Sequence, residues 1–175
     1  AIAGLVEYHE AMTLIGAPTV NAYKRLQPAQ LAGYWANWGY DHRGVSVRVP
    51  HERGRKTRIE SRMADGAANP YLMTAAVLNA ARLGMENDID LPAPEEQDCL
   101  DSQSTDRHTA DNLVAACKAI EARPEFIEAM GKEMVEQFTA VKRFEWDFYT
   151  EAVPDWESKT TEVTQWELDF YTPFL

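Results

Sequence analysis

The chain has 175 residues, 45% of them apolar and 26% charged, the composition of a globular domain long enough to bury a core. No run approaches the ~18 uninterrupted apolar residues of a membrane-spanning helix, and a net charge of −11, from 17 Lys+Arg against 28 Asp+Glu, opposes binding to phosphate backbones and anionic lipid. Neither membrane nor nucleic acid is therefore an expected partner. Cys99 and Cys117 are too few for a disulfide framework, which makes the cytoplasm the expected location.

Residues 1–16 fit a helix with Ile2, Leu5, Val6, Met12 and Ile15 on or near one face, ended by Gly16 and Pro18. That helix begins at Ala1 with nothing upstream to cap it, so the sequence reads as a piece of something longer. An aromatic, small-residue stretch follows to Tyr40. Arg43 to Val49 alternates with period two and stops at Pro50; after a charged turn over 51–56, Thr57 to Met63 alternates again, and the pair predicts a hairpin. Asn69-Pro70 supplies an N-cap and a first-turn proline for an Ala-rich helix running to about Leu83 and stopped at Gly84, expected to pack on a sheet. Residues 86–108 are acidic, hold Pro92 and Pro94, and read as a surface loop. Leu113, Val114, Cys117 and Ile120 mark a helix ending before Pro124, which opens a longer one carrying Phe126, Ile127, Met130, Met134, Phe138 and Val141. Residues 144–150 and 166–172 echo each other weakly, too little for a repeat architecture.

Charge is unevenly spread. Residues 21–62 hold nine basic groups and three acidic ones, whereas residues 86–175 hold seven basic and 22 acidic. The basic stretch is where an anionic ligand is expected. In a strand, Arg58, Glu60 and Arg62 share one face and Ile59 and Met63 the other. An isolated run of that kind is most simply a solvated ladder. Here Arg43, Arg48 and Arg25 lie nearby, so five arginines can gather around one carboxylate; guanidinium forks suit carboxylate and phosphate, and Glu60 suits a hard divalent cation.

Asn21 to Leu26, Trp38 to Arg43 with Arg48-Val-Pro50, Arg58 to Arg62, and Asp65 to Leu72 resemble, in order and approximate spacing, the C-terminal part of the glutamine synthetase catalytic domain. The likeness covers most of the chain. It implies an ATP-dependent ligase that uses Mg2+ or Mn2+, phosphorylates the γ-carboxylate of glutamate, and lets ammonia or an amine attack the acyl phosphate; it also implies a ring-shaped homo-oligomer. By position, it implies that Arg25 holds the glutamate carboxylate and that Arg62 stands between substrate and transferred phosphoryl group. Arg43 and Arg48 match the pair on the transferring and nucleotide phosphates, Arg58 a nucleotide-site arginine, and Glu60 a metal ligand. Arg43 and Arg62 are thus the expected catalytic pair.

Two departures follow. The family's other metal ligands lie upstream of these residues, so this segment alone is expected to be inactive. The family's flap glutamate, six residues after the substrate arginine, is here Leu31; residues 26–40 hold no Asp or Glu, and Tyr34, Trp35 and Trp38 suggest a larger, more apolar mouth. This points to an organic amine in place of ammonia, as in the γ-glutamyl-amide ligase relatives of the family. The competing reading is a non-catalytic structural or binding module that keeps the fold. The expected fold class is α+β, an antiparallel sheet element backed by helices: active-site strands and helices over 1–85, the acidic loop over 86–108, a helical region over 109–175.

Other signals are plain. Gly54 to Thr57 lacks the glycine and Gly-Lys step of a phosphate loop, and His9-Glu10 and His51-Glu52 lack the second histidine of a zinc helix. His108 is expected on the surface, Cys99 in a loop and Cys117 in the core. The Met and aromatic residues from Phe126 to Phe148 are expected in core or subunit contacts.

Overall fold

The computed structural model describes residues 1–28, 30–98 and 104–174; Cys99 lies outside them. The chain is α+β: the described residues form eight α-helices around one small sheet. The opening helix is present with one break: α1 (Ile2–Glu7) and α2 (His9–Gly16) are separated by Tyr8. The hydrogen-bond ladder still runs through it, from the Tyr8 N–H to Gly4 and from the Met12 N–H to the Tyr8 carbonyl. Tyr8 stacks on Phe126, and α2 is buried on nearly every side.

A short helix, α3 (Ala22–Arg25), leads through a loop to β1 (Trp38–Tyr40), β2 (Val47–Val49) and β3 (Glu60–Ser61). The expected hairpin is there, with β2 antiparallel to β3 and Arg48 opposite Glu60. Both strands are shorter than their alternation suggests, and β1 adds a parallel neighbour the pattern did not show, Trp38 pairing with Val47. A parallel pair normally needs a long crossover. Here the six-residue link closes because Ser46 folds back on Asn37, its hydroxyl donating to the Asn37 carbonyl at 2.8 Å, and because Asp41 turns the chain at φ +48°.

Helix α4 (Pro70–Glu86) is capped by the Asn69 side chain as expected, but it runs through Gly84 and packs on α1, not on the sheet. The reason is helix-to-helix approach: a Cβ on Gly84 would sit 2.5 Å from the Gly4 Cα, and one on Gly4 would sit 1.9 Å from the Ala80 carbonyl oxygen. Gly84 is a contact, not a stop. The predicted long helix after Pro124 is divided at Gly131, φ +94°, into α6 (Pro124–Met130) and α7 (Lys132–Ala152). Helix α5 (Leu113–Glu121), capped by Asn112, packs on α2 and α7. The echoing segments lie in α7 and α8 (Gln165–Tyr171) and meet through Phe148 and Tyr149 against Trp166.

The acidic stretch is not a free surface loop. Glu95, 3% exposed, accepts backbone N–H groups from Gln97 at 3.0 Å and Ser104 at 2.7 Å. These bonds outweigh burial and hold its carboxyl below the usual range. Trp38 donates its indole N–H to the Pro92 carbonyl, so the loop is tied to β1. Among the described residues no helix is long and apolar enough to cross a membrane.

Candidate active site

The sheet brings a charged cluster to one end. Arg48, from the middle of β2, donates to both oxygens of Glu60 at 3.3 and 3.1 Å and also to Asp41. These two acceptors raise the Arg48 pKa, and the Arg48 guanidinium in turn holds the Asp41 carboxyl below its usual range. Arg62, just past β3, lies 3.7 Å from the same carboxylate. Burial is the main pull lowering its pKa; Arg48 and Arg43 add to it and Glu60 opposes. The Nε–H groups of Arg48 and Arg62 are both buried and have no partner among the described residues. Two arginines sharing one carboxylate with donors to spare form a cluster suited to an anion.

Arg25 reaches the backbone of the residue that follows Arg62. It donates to the Met63 carbonyl at 2.8 Å and the Ala32 carbonyl at 3.4 Å, and approaches Asp65 at 3.6 Å. Arg43 is exposed and stands in the turn before β2, not in the strand expected for it; it contributes charge near Arg62 and Asp41. Arg58 is not brought to the cluster. It precedes the two-residue β3 and turns to Glu52 at 3.0 Å, its side chain 48% exposed. Period-two alternation overstated the strand, and with it the shared face. Asp41 is the residue sequence reasoning missed; its position in the tight turn between Tyr40 and Arg43 was the available signal. Among the described residues no group of three or more His, Cys, Asp or Glu is placed to hold a metal ion.

Ahead of β1, Leu31 and Gly33 lie against Arg62 of this cluster. Gly33, φ +74°, has space for no more than hydrogen, since a Cβ would stand 3.1–3.2 Å from the Arg62 backbone. Arg62 donates to the Leu31 carbonyl at 3.4 Å, and His9 donates its Nε2–H to the Tyr34 carbonyl at 3.1 Å. Leu31 thus stands beside Arg62, with its side chain 53% exposed. The expected aromatic mouth is corrected: Tyr34 stacks on His108 at 4.8 Å, Trp35 meets both of them edge-on, and Trp38 is buried. These rings fasten the loop to Pro92 and His108, and His108 is half-buried among them instead of free at the surface. Cys117 is buried, its thiol pushed up to about 11 by burial, as befits an inert core group.

The family model described as the glutamine synthetase catalytic domain matches residues 1–161; the chain belongs to that family. It is 36% identical over 161 residues to a glutamine synthetase of Staphylococcus epidermidis, covering 89% of this chain and 36% of that protein. A glutamine synthetase of Methanocaldococcus jannaschii is 36% identical over 163 residues, covering 90% and 36%. Among solved structures, GmaS without ligand superposes with a TM-score of 0.76 at 31% identity, over 98% of this chain and 37% of its own. A GmaS/ADP complex superposes with a TM-score of 0.76 at 29% identity, over 98% and 38%. The chain spans little more than a third of the length of these relatives.

Proposed function

We propose that the chain is part of an ATP-dependent ligase joining the γ-carboxylate of glutamate to an amine. The observation that carries this reading is the Arg48–Glu60–Arg62 cluster with Arg25 adjoining, in a chain of this family. A γ-carboxylate oxygen attacks the terminal phosphorus of ATP and ADP departs; the amine nitrogen then attacks the acyl carbon, phosphate departs, and the nitrogen loses a proton. Anionic oxygens accumulate on the phosphoryl group throughout, and fixed guanidinium groups oppose that charge without reorganising. Arg25 is assigned the glutamate carboxylate, Arg62 the region between glutamate and phosphoryl group, and Arg43 and Arg48 the phosphates. Arg58, displaced toward Glu52, is assigned the nucleotide only as an outer contact.

Glu60 is a suitable oxygen donor for Mg2+ or Mn2+, because Arg48 keeps Asp41 as a second partner when the carboxylate turns to a cation. One carboxylate is not a metal site; the remaining ligands belong to the part of the relatives that this chain does not match, and when bound the metal would neutralise phosphate charge. A homo-oligomeric ring and a cytoplasmic location are proposed on the family alone.

The acceptor is proposed to be an organic amine. Leu31, whose carbonyl accepts from Arg62, stands where the family resemblance calls for a carboxylate, and its apolar side chain can cover the alkyl part of an amine but offers ammonium nothing. The test has two parts. The intact mass of the polypeptide as its source makes it should exceed that of 175 residues. That polypeptide should release phosphate from ATP only with glutamate and an amine, alkylamines outrunning ammonium. Preference for ammonium would overturn the amine assignment, and absence of glutamate-dependent turnover would overturn the ligase reading.

A further inference from the structure

Helix α8 lies beyond residue 161, where the family match ends, yet it is fastened to the segment that carries Arg25. Lys24, the neighbour of Arg25, donates to the Glu167 carboxylate and to the Glu162 carbonyl. The side chains of that ion pair are only 9% and 2% exposed. Four residues earlier, the Val20 N–H donates to the Tyr171 hydroxyl at 2.9 Å, and that hydroxyl donates onward to Glu145, which Lys142 holds at 2.7 Å. Glu167 is itself fixed by a capping box, accepting from the Thr164 N–H and hydroxyl, both at 2.7 Å. Val20 lies two residues before α3 and Lys24 within its single turn, so α8 holds this segment at two points.

Packing on this side of α3 is incomplete. A cavity of about 270 Å³ separates Tyr23, Lys24 and Leu26 from Trp146, Tyr149 and Trp156. Val20, Ala22, Tyr23 and Leu26 are buried in the core, and on the cavity side, where that packing stops, these two ties add to it. The Met63, Ala32 and Asp65 contacts hold the Arg25 guanidinium from the opposite side; α8 sets the backbone from which that side chain projects.

We propose that α8 is a clasp that positions Arg25 for the glutamate carboxylate, with Lys24, Glu167 and Tyr171 as positioning residues. This rests on the reading of Arg25 given above. A released α3 turns into the cavity and moves the guanidinium fork off its target, and a fork recognises a carboxylate only in register.

The test uses the polypeptide as its source makes it, with Glu167→Gln, Tyr171→Phe, the conservative Lys24→Arg, and Arg25→Gln as a control. Glu167→Gln and Tyr171→Phe should each raise the KM for glutamate about tenfold and leave the KM for ATP within about twofold. Amide exchange over residues 20–26 should quicken in the same two variants, and Lys24→Arg should stay near the parent. Quickened exchange with an unchanged glutamate KM would make the ties structural only and overturn the proposal, as would a parallel rise in both KM values. If Arg25→Gln leaves the glutamate KM at the parent level, the assignment of Arg25 itself falls, and the clasp has nothing to position. Tyr171→Phe removes a single oxygen, so it carries the test should Glu167→Gln fail to fold.

Discussion

Burial of His9 makes the loop beside the cluster sensitive to acid. The ring is 1% exposed, and burial pushes its pKa down to about 4, with Arg107 and His108 adding to the fall against the hydrogen bonds to the Tyr34 and Gly33 carbonyls. An unfolded histidine takes its proton near 6.5. Between those values the unfolded chain binds more protons than the folded one, so stability is lost as pH falls from 6.5 toward 4 and is unaffected above 6.5. A gap of about 2.5 units at ~1.36 kcal/mol each gives about 3 kcal/mol, a large share of the ~5–15 kcal/mol that holds a domain together. The perturbation is His9→Gln, whose amide can still donate to the Tyr34 carbonyl but does not titrate. Urea unfolding of parent and variant at pH 7 and pH 4 should show the parent losing about 3 kcal/mol more than the variant. Carboxylates common to both cancel in that difference. An equal loss in the two proteins, or an imidazole that titrates near 6.5 by NMR in the folded parent, would refute the reasoning.

Gly84→Ala should lower stability by about 2 kcal/mol despite the better helix former, because the added Cβ meets the Gly4 backbone at 2.5 Å; a melting temperature at or above the parent's would contradict this contact. Glu60→Gln should change stability by no more than about 1 kcal/mol, since the carboxylate is one-third exposed, yet lower glutamate-dependent turnover by about 10²-fold or more. Turnover within tenfold of the parent would remove Glu60 from the site. Leu31→Glu should shift the ratio of kcat/KM for ammonium over an alkylamine about fivefold toward ammonium: both are cations, so the discrimination is the loss of cover for about 40 Å² of alkyl surface at ~25 cal/mol per Å², about 1 kcal/mol. An unchanged ratio would mean that the flap residue does not select the amine.

Much of the fold was legible because local rules and tertiary packing agree. Asn69-Pro70 opens α4, the 3.6-residue pattern finds α2, α5 and α7, and Arg48 and Glu60 meet across the expected hairpin. The failures share a cause: residues whose role is set by a distant backbone look local in sequence. Gly84 reads as a stop until Gly4 is seen against it, while Gly131, which does divide a helix, sits in an unbroken apolar pattern. Alternation over 57–63 extended β3 to Arg58, although only residues 60 and 61 find a partner strand. Glu95 reads as one more acid in a charged loop, and only the donors that converge on it reveal a buried anchor. In the site, Arg48, Glu60 and Arg62 were within reach of pattern reasoning; Asp41 and the true duty of Tyr34 and Trp38 required the fold.

The corrected role of those rings sharpens the case for Leu31. An aromatic mouth would have made specificity a matter of many soft contacts. Instead Tyr34, Trp35 and Trp38 fasten the loop to His108 and Pro92, while Gly33 presses its backbone onto that of Arg62 and His9 ties down the Tyr34 carbonyl. A loop held at so many points cannot readily swing a different residue to the same place, so the backbone of position 31, whose carbonyl accepts from Arg62, is fixed beside the cluster. The chemistry of its side chain then acts with little competition. An isobutyl group there removes a negative charge from beside Arg62 and adds apolar surface that the alkyl part of an amine can cover at roughly 25 cal/mol per Å², whereas ammonium has no such surface to offer. On the amine reading proposed above, a leucine held in that frame would favour a substituted amine, and one residue would be enough to make the exchange.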